Sequence, residues 1–246
     1  VLVLRKAAAP CSLAQAFSHL LLHDCTNTQK NLFFQLCFPP HTSCTPGSIN
    51  KRYTYQGHAD NSTWARGQAW AITGFAMLYT ATGQQEFGNM ASKLTDTYLR
   101  RMSGQKGVRT ATAPEYDEFV PQWDFDAPWF EEMDGPRDTS GAAVAALGML
   151  HLAEGLMQQQ GVGADGCAQK YLQAAVATLR ALASPKYLAG GPEDMKFPAL
   201  LKHATGGFPL RDHVDVGLIS GDYYFLAALH KCAHMDACMQ TNGGSN

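Results

Sequence analysis

The stretch from Tyr55 to Tyr79 reads YQGHADNSTWARGQAWAITGFAMLY. It sets Gln, His, Asp, Asn, Arg and two Trp at the entrance and first turns of an apolar helix. Polar and aromatic groups crowded at such a point cost solvation when merely buried, so they usually face a cleft. Arg66 offers a planar fork for a carboxylate or sulfate. Trp64 and Trp70 offer flat apolar faces, and Gln56, His58, Asp60, Asn61 and Gln68 offer directional hydrogen bonds. That mixture suits an acidic sugar. Arg66 and Trp70 stand four apart, on one helix face, so one can hold a carboxylate while the other stacks on a ring. The competing reading makes Arg66 a cap or salt-bridge residue and Trp70 part of the core.

Asp124 and Asp126, in WDFDAP, form the obvious carboxylate pair. Glycoside hydrolysis usually needs two carboxylates flanking one bond. This pair is not expected to share a site, and Asp124 reads as rim structure or an indirect sugar contact. Asp138 in PRDTSGAA reads as a helix cap, and the small Ser140, Gly141 and Ala142 after it permit close helix packing. Lys202, His203 and Thr205 lie on a loop that reaches either a sugar or solvent. Asp222 reads as a first-turn acid favoured by the helix dipole.

Helices must carry these groups. The spacing predicts inner, apolar helices over 65–80, 140–157 and 221–234. Amphipathic partners follow the first two over 85–101 and 168–183. Long loops precede the second and third inner helices, and loops gathered on one rim would bring the polar motifs together. The repeated unit of inner helix, outer helix and long loop argues for an all-α toroid of helical hairpins. Only five good helices are legible, about half of a six-hairpin ring. Residues 1–45 read as an atypical N-terminal segment, 46–236 as part of the toroid, and 237–246 as a polar tail.

Composition narrows the function. The chain has 246 residues, 46% hydrophobic, with a net charge of -2. It has no basic footprint for nucleic acid, and no stretch reads as the roughly 18 or more apolar residues of a membrane span. Leu13–Leu22 lacks the flanks of a signal peptide; the compartment stays open, with cytoplasm favoured. The 7 cysteines are irregularly spaced and read as unpaired thiols rather than a disulfide framework. No zinc-type cluster is expected.

Four ordered motifs resemble one family. They are QGHADNSTWARGQAWAITGFAMLY (Gln56 to Tyr79), QWDFDAP (Gln122 to Pro128), PRDTSGAAVAA (Pro136 to Ala146) and VDVGLISGDYYFLAAL (Val214 to Leu229). Over about residues 46–234 the chain is similar to glycoside hydrolase family 88, the unsaturated glucuronyl hydrolases. The resemblance implies an (α/α)6 barrel. It also implies a substrate with a 4,5-unsaturated uronic acid at its non-reducing end, released by hydration of the C4=C5 bond without metal or organic cofactor. It places substrate-binding roles on Gln56, Arg66 and Trp70. His41 matches a substrate-binding His with spacing about three residues short. A rival family, the unsaturated rhamnogalacturonyl hydrolases, carries RGNGW where this chain has RGQAW.

In the resembled family both key aspartates lie upstream of the first motif. Leu22-His-Asp24-Cys-Thr-Asn27 running to Leu32-Phe33-Phe34 is the nearest match to the helix bearing the proton-transferring acid. Asp24 is therefore the catalytic candidate, although it stands too close to Gln56. A chain that keeps the binding rim and lacks the catalytic rim is the expectation: a truncated homologue or a sugar-binding pseudoenzyme.

Overall fold

The computed structural model describes residues 33–36, 49–103, 119–128, 136–160, 166–236 and 238. All of them fall within one compact unit, residues 31–246. Two short strands, β1 (Phe33–Leu36) and β2 (Ile49–Tyr53), pair antiparallel with Phe33 opposite Tyr53. Five helices follow: α1 (Ala65–Thr82), α2 (Gln85–Ser103), α3 (Thr139–Gln160), α4 (Gly166–Leu182) and α5 (Ile219–Ala233). Phe33 and Phe34, matched in the sequence to the end of a helix, lie instead in an extended strand; residues 22–32 of that match lie outside the described residues. Aromatic residues favour such a pleated surface.

Helices α1, α3 and α5 lie side by side, with α3 in the middle. Helix α2 backs α1 and α4 backs α3, the inner-and-outer arrangement of an (α/α)6 toroid. The outer helices bury one stripe each. In α2 it is Phe87, Met90, Ala91, Tyr98 and Met102; in α4 it is Ala168, Tyr171, Leu172, Ala175, Val176, Leu179 and Leu182, the i, i+3, i+4, i+7 pattern of helices packed on one side. Helix α1 stops at Gly83, whose φ of 71° and N–H bond to Tyr79 O make a left-handed cap. A stretch of α3, Thr139–Gln159, is long and apolar enough to span a bilayer by composition, which the sequence reading did not pick out. It is 83% buried here against its neighbours.

Glycines every seventh residue set how closely α1 and α3 approach. A Cβ at Gly141 would sit 3.3 Å from Arg66 Cα, one at Gly148 2.9 Å from Thr73 Cα, and one at Gly155 2.7 Å from the Tyr79 ring. The three contacts advance together along both helices, so α1 and α3 run parallel. Thr73 Oγ1 also donates to Val144 O at 2.8 Å. Helix α5 meets α3 the same way: a Cβ at Gly221 would sit 3.2 Å from Ser140 Cβ, and Lys231 Nζ lies 2.7 Å from Glu154 Oε2. All three inner helices therefore begin at one end, where the motifs lie.

At the far end of α5 the chain turns back. Met235 N–H bonds to Cys232 O and Cys238 N–H to Met235 O. The turn brings Cys238 onto Cys232, with a Cα–Cα distance of 5.6 Å, and the two form a disulfide. That corrects the expectation of unpaired thiols: a spacing of six residues is not itself a pairing signal, and the return turn supplies the geometry. Cys167 is exposed, and the other cysteines lie outside the described residues.

Candidate functional site

The rim is organised around Asp138, which is fully buried. It precedes α3, and one oxygen, Oδ1, accepts the Gly141 N–H at 3.2 Å and the Ser140 hydroxyl at 2.6 Å. That is N-cap geometry. The other oxygen, Oδ2, accepts Arg66 Nη1 at 2.7 Å. Nη1 also donates to Ser140 Oγ at 2.8 Å and Thr205 O at 2.9 Å, and Nη2 donates to Gly206 O at 2.8 Å. Gln56 Nε2 reaches the same Gly206 carbonyl at 3.0 Å. The Arg66 guanidinium lies 4.9 Å over the buried Trp64 ring, a cation–π contact. One ion pair thus joins the starts of α1 and α3 to the loop that precedes α5.

Asp124 does comparable work beneath the entrance. Its Oδ2 accepts the His58 N–H at 2.8 Å and the Ser62 hydroxyl at 2.6 Å, while Oδ1 accepts the Asp126 N–H at 2.9 Å. Asp126 turns the other way, accepting the Thr63 N–H at 2.7 Å and pairing with Arg101. Arg101 and the Thr63 amide hold the Asp126 carboxyl below its ordinary range against the opposing effect of burial. Trp123 is buried and stacks on Phe208 at 5.0 Å. Asp222, on the first turn of α5, accepts the Leu200 and Leu201 amides at 3.0 Å each.

The loop over 203–216 folds back on itself, with Ala204 bridged to Val216 and Gly207 to Asp212. Four of its non-glycine residues, His203, Arg211, His213 and Asp215, adopt left-handed backbone, with φ of 61°, 53°, 51° and 56°. Such conformations cost energy and persist only where the surroundings impose them. His203 Nδ1 lies 2.6 Å from Asp215 Oδ1 across the loop. Thr205, buried at its base, donates to Arg137 O at 2.9 Å.

Trp70, one turn into α1, is half-buried and meets Tyr224 of α5 edge to face, with centroids 4.9 Å apart. The chain is similar in sequence and in fold to known proteins. The unsaturated glucuronyl hydrolase of Formosa agariphila is 34% identical over 185 residues, 75% of this chain and 40% of that protein. The crystal structure of the unsaturated glucuronyl hydrolase of a Bacillus species matches with a TM-score of 0.65 at 27% identity, covering 84% of this chain and 48% of that one. Over its matched residues the chain belongs to the unsaturated glucuronyl hydrolase family. A variant glucuronyl hydrolase from Streptococcus agalactiae, solved with dGlcA-GalNAc6S, matches with a TM-score of 0.58 at 30% identity, covering 82% of this chain and 47% of that one. The chain spans less than half the length of each of these glucuronyl hydrolases. No protein-family model matches it.

Within this glucuronyl hydrolase rim the structure sorts the sequence candidates. Gln56, Arg66 and Trp70 come to one end of the inner helices. Of these, Arg66 is buried and its guanidinium donates to Asp138, Ser140, Thr205 and Gly206 of the chain itself. Trp64, read from sequence as a sugar-facing ring, is buried under Arg66 at 3% exposure and is core. Lys202, read as a candidate for sugar or sulfate, donates instead to Asp194 at 3.0 Å and Pro185 O at 3.1 Å, and Thr205 is buried. Asp24 and His41 lie outside the described residues. Sequence reasoning missed the carbonyls of Thr205 and Gly206 as partners of Arg66; the glycine pair in KHATGG was the available signal for a backbone turned inward.

Proposed function

We propose that this rim receives the terminal 4,5-unsaturated uronic acid of an oligosaccharide and that the chain acts as an unsaturated glucuronyl hydrolase. The observation that carries the reading is the convergence of Gln56 and Arg66 on the Gly206 carbonyl, one helical turn from Trp70 and its partner Tyr224, at the shared end of three inner helices. The family relationship supports the substrate class, and the dGlcA-GalNAc6S bound to the Streptococcus agalactiae relative makes a chondroitin-type disaccharide the first compound to try. In this reaction a carboxylic acid protonates C4 and water adds at C5. The resulting hemiketal then opens, its proton passes to the departing sugar oxygen, and the uronate is released. An acid that gives and takes a proton in one cycle needs a carboxyl free of permanent donors.

A second reading, sugar binding without turnover, draws on one observation. Among the described residues, Asp60, Asp124, Asp126, Asp138 and Asp222 each already accept hydrogen bonds from backbone or side-chain donors. The proton-donor candidate that the family resemblance names, Asp24, lies outside the described residues. The two readings separate when the chain is mixed with an unsaturated chondroitin disaccharide and the ultraviolet absorption of the C4=C5 bond is followed. Loss of absorption that Asp24→Asn abolishes supports the hydrolase with Asp24 as its acid. Calorimetric binding without loss of absorption supports the binder. Neither signal refutes both.

A further inference from the structure

Helices α1 and α5 flank α3, yet their aromatic side chains meet in front of it. The cause is the small residues beneath. Arg66 sits against Gly141 and Gly221 against Ser140, so the first turns of α1 and α5 both lie close to α3. One turn further along, Trp70 and Tyr224 touch, at 4.9 Å and 76°. Tyr224 in turn meets Tyr223 at 5.0 Å and 85°. The three rings form one row across two helices. Edge-to-face contacts at these separations are favourable and hold each ring's plane. The row runs from half-buried Trp70 at the rim to Tyr223, which is 64% exposed.

We propose that this row is a stacking surface for successive sugar rings, with Tyr223 taking sugars that follow the terminal uronate and Tyr224 acting as the positioning residue that aims Trp70 and Tyr223. The inference rests on the reading of the rim as a uronyl-saccharide site. A large aromatic with two side-chain torsions adds contact area at low ordering cost, and a flat face accepts the apolar face of a pyranose without requiring a particular hydroxyl pattern. Tyr223 also stands beside Ile219 and Leu226 in an exposed apolar stripe of α5, at 85% and 53% exposure. A stripe used for packing would need the apolar bulk at 223 and not the ring. Continuity of the ring with Trp70, rather than the stripe, favours the saccharide.

The test compares unsaturated chondroitin disaccharide with the corresponding tetrasaccharide, measured as Kd, or as KM where the chain turns them over. The wild-type chain is expected to prefer the tetrasaccharide. Tyr223→Ala and Tyr223→Leu are expected to weaken tetrasaccharide binding roughly five-fold while leaving the disaccharide within two-fold. Tyr223→Phe is expected to retain the preference. The exposed position keeps all three variants foldable, as a melting curve would confirm. The proposal is overturned if the wild type shows no length preference, if Leu serves as well as Tyr, or if both saccharides weaken together. Failure of the wild type to bind either saccharide overturns the proposed function as well, whereas normal binding without a Tyr223 effect overturns the row alone.

Discussion

Truncating Arg66 to Ala is the most exacting test of how the rim is held. The change removes one side of a buried ion pair whose members are 5% and 0% exposed, and it strands the Asp138 carboxylate with Ser140 and the Gly141 amide as its remaining donors. Breaking a buried pair by deleting one partner costs about 3–5 kcal/mol. Thr205 O and Gly206 O lose a donor at the same time. These bonds belong to one network and do not add in full, so a total of about 4 kcal/mol is expected. With a urea m-value of about 2 kcal/mol/M, that lowers the midpoint by about 2 M. Arg66→Lys keeps a charge near Asp138 but cannot fork to both carbonyls, and is expected to fall between wild type and Ala. The paired replacement Arg66→Met with Asp138→Leu is expected to be more stable than the sum of the single changes predicts, because it leaves no stranded charge. A loss below about 1 kcal/mol for Arg66→Ala, with no coupling to Asp138, would refute the clamp and return the guanidinium to a ligand-facing role.

Three further outcomes follow from the packing. Gly148→Ala places a Cβ 2.9 Å from Thr73 Cα and 2.6 Å from Thr73 Oγ1, so the inner helices must part; a loss of about 1–3 kcal/mol in chemical denaturation is expected, and an unchanged midpoint would contradict the close approach. Tyr98 has a buried hydroxyl with no hydrogen-bond partner among the described residues, and burial with the nearby Asp138 charge pushes its pKa up; Tyr98→Phe is expected to be neutral or up to about 1 kcal/mol more stable by thermal melting. His151 is held at a pKa of about 4, first by burial and then by Lys231, with Glu154 opposing. Its unfolded value is higher, near 6.5, so the unfolded chain takes up the proton first as pH falls. The His151 contribution is therefore fully present above about pH 6.5 and is lost towards pH 4. After discounting for solvent screening at this partly exposed side chain, His151→Gln is expected to remove on the order of 1 kcal/mol of that pH dependence.

The helices were legible because period and punctuation act locally. Apolar runs, the Thr82-Gly83 stop and the Asp138 cap all report on neighbours within a turn or two. The structure places α1 to α5 within three residues of the expected boundaries. The inner-and-outer alternation was legible for the same reason, since a helix apolar all round differs in composition from one with a single apolar face. The opposed directions of Asp124 and Asp126 were not legible from spacing, because residues two apart on an extended run share a face; the turn closed by the Asp126 N–H on Asp124 Oδ1 sends the two carboxylates apart. The β1–β2 hairpin was not legible, because register between strands separated by a long connection depends on pairing rather than pattern.

What the sequence determined by itself is the set of elements and the kind of chemistry their ends can support, because both follow from residue type and short-range spacing. What the tertiary structure decided is where each polar group points. Arg66 meets Asp138 across 72 positions of sequence, Thr205 across 139, and Gln56 meets Gly206 across 150. No local pattern encodes such meetings. They follow from the glycine seam that draws α1 onto α3 and the return of the 203–216 loop to the helix entrances. The same packing buried Trp64, aligned Trp70 with Tyr224 and closed Cys232 onto Cys238.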